Sequence, residues 1–292
     1  MKINDARMST DGSIKYRLAV PNKGIIETIY FNFDGHYGKL ESNSKVLCLS
    51  SQVGCSMGCS FCETGKLSKS VNLSGLEMYN QVNLVQKDVS SRGLSRANFY
   101  AIMGMGEPLA NLENVLQFYS LARPTVNRIS LSTLGIATVI NQLAERSEDF
   151  ELFISLHSPF DSEREKLIPL NKVWPIKKVL DSGKEYSVSR NEKVNLSYMV
   201  MPHTNDTSDH FKELIALVDP NCFSVQLTCF NSNNYAETLI ARNYFSNEVI
   251  PRFIKFMNLA KIEYDVQVSK GIDIFGGCGQ LSNSNKGAEE IC

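Results

Sequence analysis

From about residue 45 onward, segments with the apolar pattern of a β-strand alternate with segments of helical periodicity. The strand-like segments span 45–51, 97–103, 128–133, 151–158, 194–201 and 223–230. The helix-like segments span 74–91, 111–121, 136–147, 175–188, 207–218 and 247–260. Parallel neighbouring strands need a crossover, which helices supply, so the alternation predicts an α/β fold with a parallel sheet. Because six such units are too few for a closed eightfold barrel, we expect an open, partial (β/α)6 barrel, with a flat doubly wound sheet as the alternative.

The two ends of the chain differ from this central pattern. Residues 13–33 contain two β-rich runs around a Pro-Asn-Lys-Gly turn, which predicts a short N-terminal β-hairpin. The last residues are polar and small, which is typical of a frayed terminus. We therefore expect an N-terminal β extension over 1–40, a barrel domain over 41–281 and a flexible tail over 282–292.

Composition limits the environment and the partners of the chain. The net charge is −1 over 292 residues, so there is no global basic field of the kind that many nucleic-acid-binding proteins carry. The first 30 residues lack the features of a targeting peptide, and no apolar run approaches the ~18 residues of a membrane span. We expect a cytoplasmic protein, in which the eight cysteines serve as metal ligands or redox groups rather than as a disulfide framework.

Three cysteines, Cys55, Cys59 and Cys62, form a CxxxCxxC pattern in a Gly- and Ser-rich loop after the first predicted strand. Zinc sites usually have four ligands in two pairs, whereas a [4Fe–4S] cluster held by three thiolates leaves one iron free. That iron can bind the amino and carboxylate groups of S-adenosylmethionine, and an electron from the cluster can then break its C–S bond. The spacing favours this cluster over a structural zinc knuckle or buried thiols.

Polar residues also stand at the ends of other predicted strands, where the chemistry of parallel α/β folds collects. Glu107 lies in a Gly-Met-Gly-Glu-Pro segment and can accept a hydrogen bond from an amino group, although the segment alone also fits an ordinary strand-to-helix turn. The remaining strand-end residues are Ser132, Thr133, His157 and Asn231. Taken singly, such residues often only satisfy backbone groups.

Five segments, in the same order as in the family, resemble the RlmN/Cfr family of radical S-adenosylmethionine RNA methyltransferases. They are VLCLSSQVGCSMGCSFCETGK (46–66), GMGEPLAN (104–111), ISLSTLG (129–135), FISLHSPFDSEREKLIPLNK (153–172) and GGCGQL (276–281). The resemblance extends from about Glu27 to Leu281. It implies a radical S-adenosylmethionine barrel and rRNA or tRNA modification.

The resemblance also implies roles for individual residues. Cys55, Cys59 and Cys62 would hold a [4Fe–4S] cluster, and each turnover would use two molecules of S-adenosylmethionine. The first methylates Cys278, and the second gives a 5′-deoxyadenosyl radical that takes a hydrogen atom from the new methyl group. The methylene radical then bonds to carbon 2 or carbon 8 of an RNA adenine, and Cys48 releases the product by forming a disulfide with Cys278.

Further roles follow from the same resemblance. Glu27, in IIETIY, is expected to help to remove a proton. The residues expected to bind S-adenosylmethionine are Gly106, Glu107, Ser132, Ser155, His157 and Asn231. A reductant such as flavodoxin or ferredoxin is expected as a partner, the protein is expected to be a monomer, and no membrane association is expected.

The substrate is the least constrained part of this interpretation. Family members carry an N-terminal accessory domain that grips RNA, and only 26 residues precede Glu27 here, so we expect that domain to be missing. A local basic patch remains possible at Lys166, Lys172, Lys177, Lys178 and Lys184, but charged helix positions are also typical of a solvated face. The same radical chemistry on a small molecule or peptide is therefore an alternative. A non-catalytic iron–sulfur or zinc protein is a third interpretation, against which Cys48, Cys278 and GMGEP argue.

Overall fold

In the computed structural model, which describes residues 1–33, 44–67 and 69–281, strands and helices alternate along the barrel. The strands are β1 (Lys2–Met8), β2 (Ile14–Val20), β3 (Gly24–Phe33), β4 (Ser44–Cys48), β5 (Gln52–Val53), β6 (Val71–Asn72), β7 (Phe99–Ile102), β8 (Ile129–Thr133), β9 (Glu151–Ser155), β10 (Val194–Val200), β11 (Phe223–Cys229) and β12 (Tyr264–Gln267). The α-helices are α1 (Gly75–Ser91), α2 (Leu112–Ala122), α3 (Ala137–Ala144), α4 (Asp161–Leu167), α5 (Ile176–Arg190), α6 (Ser208–Leu217), α7 (Tyr235–Tyr244) and α8 (Ile250–Ala260).

Within the described residues, ten strands form one sheet in the order β1-β2-β3-β4-β7-β8-β9-β10-β11-β12. Every neighbouring pair from β4 to β12 is parallel. Spatial order follows chain order throughout, as in a barrel wound in one direction, whereas a doubly wound sheet reverses its order at a switch point. The predicted partial barrel is therefore confirmed. A further parallel strand, β12, extends it beyond the six strands that the sequence indicated.

The N-terminal strands continue the barrel sheet. β2 and β3 form the predicted hairpin, in antiparallel register from Ile14 opposite Tyr30 to Val20 opposite Gly24. β1, which the sequence analysis did not predict, pairs with β2, and β3 pairs antiparallel with β4. The proposed boundary at residue 40 and the predicted tail over 282–292 lie outside the described residues.

Helices such as α1 and α2 pack against the outer face of the sheet through regular apolar stripes. α1 begins with a capping box, in which the Ser74 hydroxyl accepts from the Glu77 backbone N–H and the Glu77 carboxylate accepts from the Ser74 N–H. Its buried positions Met78, Val82, Val85 and Val89 recur at helical spacing.

The inner face of the barrel is lined differently on its two sides. Phe33, Val46, Phe99 and Ala101 form a small apolar cluster that is separate from the main core. Polar side chains line the opposite wall, among them Asn195, Ser197, Ser224, Gln226 and Asp265. This division leaves a cavity instead of a packed centre. In the described part of the chain, no helix is long and apolar enough to cross a membrane.

Candidate active site

A cavity of about 270 Å³ occupies the barrel interior and reaches the carboxyl ends of the parallel strands. It brings together most of the residues that the sequence analysis selected. Those that line it are Cys48, Cys55, Cys59, Cys62, Gly106, Glu107, Ser132, Thr133, Ser155, His157 and Cys278. Glu27 and Asn231 are not among its lining residues.

The cysteine loop is fixed by glycines and by contacts with two distant segments. Gly54 has a left-handed φ of 75°, and a Cβ there would lie 2.1 Å from the Lys69 carbonyl oxygen, so only glycine fits. The Ser60 N–H donates to the Leu167 carbonyl (3.1 Å), and the Glu63 N–H donates to the Gly279 carbonyl (2.8 Å). The loop is thus held between the end of α4 and the segment that carries Cys278.

The three loop thiols provide a donor set that fits an iron–sulfur cluster. Cys55, Cys59 and Cys62 are free thiols on one cavity wall. Burial raises the pKa of Cys59, and the nearby Cys62 and Cys55 raise it further. Over the residues described, no three or more His, Cys, Asp or Glu side chains are grouped to hold a single metal ion. Three soft ligands with an open side toward the cavity match a [4Fe–4S] cluster with one iron free for another ligand.

Glu107 is buried beside these thiols and is held by three donors. Its carboxylate accepts from the Leu109 N–H (3.0 Å), the Thr133 hydroxyl (2.7 Å) and the Leu134 N–H (2.8 Å). Burial raises the pKa of Glu107, and these hydrogen bonds oppose that shift. The carboxylate is therefore fixed in orientation at the cavity wall, where it can accept from a ligand amino group.

Gly106 keeps the backbone close to the cavity next to this carboxylate. Its φ is +103°, and a Cβ would lie 2.7 to 2.8 Å from the side chains of Gln52 and Ser51. A larger residue would push against Ser51 and Gln52, which lead into the cysteine loop. The glycine is thus required by backbone geometry as well as by access to the cavity.

His157 is a neutral hydrogen-bonding group in this site. It has a left-handed φ of 58°, its Nδ1 accepts from the Met199 N–H (3.0 Å), and its ring meets Phe61 edge to face at 4.9 Å. Burial and the Arg164 charge lower the pKa of His157 to about 3. Because Nδ1 accepts, Nε2 carries the proton and can donate to a bound ligand. Ser132 and Ser155 line the same cavity and are half-buried.

Cys48 and Cys278 are two further free thiols on the cavity wall. Cys48 ends β4, where burial first and the Cys278 charge second raise its pKa to about 12. Cys278 is exposed and lines the cavity, and desolvation by the surrounding protein raises the pKa of its thiol as well. The cavity therefore contains two thiols in addition to those of the cysteine loop.

The β1–β2 turn and the start of β2 hold the segment that leads into Cys278. Asp11 accepts from the Gly271 N–H (2.8 Å), and Asp273 accepts from the Thr10 N–H (2.9 Å) and the Ser9 hydroxyl (2.5 Å). Lys15, near the start of β2, also takes part: its Nζ donates to the Phe275 carbonyl at 3.2 Å. The β1–β2 turn and β2 thereby fix residues 271–275.

Asn231 supports Cys278 from the barrel side. Its Nδ2 donates to the Cys278 carbonyl (3.2 Å) and to the Ser269 hydroxyl (2.9 Å), and the residue is buried. Asn231 therefore contacts the backbone of the thiol-bearing loop in this conformation. Its predicted contact with S-adenosylmethionine stays a prediction.

Glu27 lies in a buried ion-pair cluster beneath the same loop. Its Oε1 is 3.7 Å from Lys15 Nζ and 3.7 Å from Arg17 Nε, and all three residues are buried. Since Lys15 also holds the Phe275 carbonyl, this cluster supports the Cys278 segment. The predicted role of Glu27 in proton removal stays a prediction.

Comparison with known proteins identifies the family, although no family model matches the chain. A "Probable dual-specificity RNA methyltransferase RlmN" from Carboxydothermus hydrogenoformans is 35% identical over 96% of this chain and 80% of the relative. The corresponding protein of Finegoldia magna is 32% identical over 94% of this chain and 76% of the relative. The chain belongs to the RlmN family. The match agrees with the resemblance carried by the five sequence motifs.

A solved structure supports the RlmN assignment at the level of the fold. A radical SAM methyltransferase from Sphaerobacter thermophilus superposes with a TM-score of 0.84 at 28% identity, over 96% of this chain and 80% of that one. Streptococcus suis SuiB bound to S-adenosylmethionine, at 10% identity and a TM-score of 0.51 over 80% of this chain and 57% of that one, shares the fold alone. This RlmN-family chain is therefore an enzyme of the radical S-adenosylmethionine methyltransferase class, for which the family implies a [4Fe–4S] cluster and S-adenosylmethionine.

Next to the site of this RlmN-family chain, Arg164 is a buried charge that the sequence analysis did not select. Arg164, inside the motif at 153–172, is fully buried and bonds to the ends of β8 and β9. In the sequence, the only signal for Arg164 is its position within a conspicuous motif.

Of the lysines considered as a basic patch, three lie in ion pairs with acidic residues: Lys172 with Glu165, Lys177 with Asp181 and Lys184 with Asp219.

Proposed function

We propose that this enzyme methylates carbon 2 or carbon 8 of an adenine in ribosomal or transfer RNA, through a methylated cysteine at Cys278. The observation that carries the proposal is that Cys48 and Cys278 share one cavity with the cluster cysteines and Glu107. An enzyme that only generates a radical would need only the three loop thiols. Roles as methyl carrier and as resolving thiol account for the two additional thiols, Cys278 and Cys48, respectively. The relatives, named dual-specificity RNA methyltransferases, support RNA as the substrate.

The cavity residues divide into those that hold the cofactors and those that react. Cys55, Cys59 and Cys62 would hold the [4Fe–4S] cluster, which when bound supplies the electron that cleaves S-adenosylmethionine. Glu107 would accept from the amino group of this ligand, and the Gly106 backbone would lie against it. The other residues proposed to contact S-adenosylmethionine are Ser132, Ser155, His157 and Asn231.

Cys278 would act twice in each turnover. Its sulfur first takes a methyl group from one S-adenosylmethionine, and S-adenosylhomocysteine leaves as the thiol proton is lost. A radical from a second S-adenosylmethionine then removes one hydrogen atom from this methyl group, and the methylene carbon bonds to the adenine. The resulting adduct radical loses the proton on the attacked carbon and one electron, which the oxidised cluster would accept. An adenine amidine carbon is electron-poor and bears no acidic proton, so a carbon radical suits it better than a polar methyl transfer.

Cys48 would release the product. Its sulfur attacks the Cys278 sulfur, the bond between that sulfur and the methylene carbon breaks, and a proton completes the new methyl group. Glu27 is proposed to assist removal of the adenine proton, which would require its carboxylate to leave the ion pairs with Lys15 and Arg17. A reductant such as flavodoxin or ferredoxin would then return the Cys48–Cys278 disulfide to thiols and supply electrons.

The test is incubation of the reconstituted enzyme with S-adenosylmethionine carrying a CD₃ methyl group, together with ribosomal RNA, transfer RNA and a metabolite mixture. One methyl hydrogen is lost and one solvent proton is gained, so we expect methyladenosine in RNA with two deuterium atoms retained, detected by mass spectrometry. The Cys278→Ala variant is the control and should give no labelled adenosine. Label in the metabolite fraction, or a methyl group that keeps all three deuterium atoms, would contradict the proposal.

A further inference from the structure

We propose that Arg164 is a positioning residue that keeps a buried positive charge beside the cysteine loop and thereby raises the reduction potential of the cluster. The inference rests on the proposed assignment of that cluster to Cys55, Cys59 and Cys62. It concerns a residue outside the cofactor ligands and outside the cavity lining.

Hydrogen bonds fix the Arg164 guanidinium in one orientation. Its Nε donates to the Leu156 carbonyl (3.1 Å), and Nη2 donates to the carbonyls of Leu134 (2.7 Å) and Ser155 (2.8 Å). Nη1 donates to Asn171 Oδ1 at 2.6 Å. All four acceptors are neutral, so none of these contacts cancels the charge.

The carboxylate of Asp161 is separated from the Arg164 guanidinium by the side chain of Asn171. Asn171 Nδ2 donates to Asp161 Oδ1 (2.8 Å), so Asn171 stands between the carboxylate and the guanidinium. Asp161 is exposed to solvent, which screens its charge, whereas Arg164 is fully buried. Asp161 therefore offsets only part of the positive charge, because an intervening side chain and solvent separate the two groups.

The segment that carries Arg164 packs directly on the cysteine loop. The carbonyl of Leu167, at the end of α4, accepts from the Ser60 N–H, next to Cys59. On the same loop, Phe61 meets His157 at 4.9 Å. Ser155, whose carbonyl accepts from Arg164 Nη2, lines the same cavity as Cys55, Cys59 and Cys62. Burial lowers the pKa of Arg164, and the charges of Asp161 and Cys59 oppose that shift.

A fixed charge at this position acts on the reduction step itself. Reduction adds one negative charge to the cluster, and charge, hydrogen bonding and solvent exposure set the potentials of iron–sulfur clusters. A buried cation nearby stabilises the reduced form more than the oxidised form, because burial weakens screening. A purely structural clamp between β8 and β9 would have no such preference, and this difference makes the idea testable.

The experiment compares midpoint potentials of the reconstituted protein by redox titration monitored with electron paramagnetic resonance, with iron content measured in parallel. Arg164→Gln removes the charge, and we expect at least a tenfold smaller equilibrium constant for reduction, or about 59 mV for one electron. Arg164→Lys keeps the charge and should stay within threefold of wild type. Lys166→Gln, an exposed charge on the same helix, is the matched control and should not shift the potential. Equal shifts in Arg164→Lys and Arg164→Gln, or no shift in Arg164→Gln, would overturn the inference.

A second variant decides the matter if Arg164→Gln does not fold. Asn171→Asp leaves Arg164 in place and puts a carboxylate at the oxygen that accepts from Nη1, which neutralises the cation locally. We expect a lower reduction potential with four irons still bound, and an unchanged potential would overturn the inference.

Failure of the proposed RNA activity is distinguishable from failure of this inference, because it would appear as a lack of RNA methylation while the shifts in reduction potential remain. A wild-type chain that holds no iron would overturn both.

Discussion

At the residue scale, the two cysteines outside the loop are expected to fail in different ways when substituted. Cys278→Ala removes the methyl carrier, so no methyl transfer to RNA should occur. Cys48→Ala leaves the carrier but removes the thiol that breaks the sulfur–carbon bond, so a covalent enzyme–RNA adduct should accumulate. Denaturing electrophoresis with labelled RNA measures both outcomes. Cys222→Ser, at a buried cysteine away from the cavity lining, is the control and should release product normally; release of product by Cys48→Ala would exclude Cys48 as the resolving thiol.

Residue types with distinctive chemistry were predictable from the sequence, whereas supporting charges were not. The three loop cysteines, Glu107 and Cys278 stand in glycine-rich motifs, and the structure collects them in one cavity. Arg164 lies in the sequence DSEREKL, which is typical of a solvent-facing helix, yet it is fully buried. Only its contacts with strand-end carbonyls, which depend on the complete fold, show why a cation is tolerated there.

At the scale of elements, the β1–β2 turn is expected to control the reactivity of the Cys278 loop. Asp273→Asn replaces an acceptor of hydrogen bonds from Ser9 and Thr10 by a group that also carries donors, so the turn should release the loop. We expect a several-fold faster alkylation of Cys278 and a slower formation of the Cys48–Cys278 disulfide, both followed by mass spectrometry. Asp5→Asn, on β1 and paired with Arg7, is the matched control. Identical rates of alkylation and of disulfide formation in both variants would mean that the β1–β2 turn does not set the position of Cys278.

The long elements were predictable because their apolar pattern is regular, and the short ones were not. Each of the six predicted barrel strands overlaps an observed strand, from β4 to β11. β12 has four residues, of which only Val266 is buried, and β1 is a largely exposed edge strand, so neither carries a clear alternation. α4 and α7 bury only Arg164 and Thr238, respectively, so tertiary contacts rather than an apolar stripe fix them.

At the scale of the whole molecule, the cysteine loop joins segments that are distant in the chain. It contacts the end of α4 through Ser60 and Leu167, and the C-terminal segment through Glu63 and Gly279. A cluster bound to this loop stabilises only the folded arrangement, because the unfolded chain offers no preformed site. Cluster binding should therefore stabilise contacts between these segments more than contacts within the hairpin.

Removal of the cluster by chelation under oxidising conditions tests this coupling. We expect the thermal midpoint to fall by roughly 5–10 °C, as follows for about 2–3 kcal/mol in a domain of this size. Hydrogen exchange should accelerate at the Ser60 and Glu63 amides, whose acceptors lie in the joined segments. Amides in the ladder between β2 and β3, such as Tyr16 and Thr28, are internal controls and should change little. A uniform increase across the sheet would indicate that the cluster stabilises the fold as a whole rather than these junctions, and would contradict the prediction.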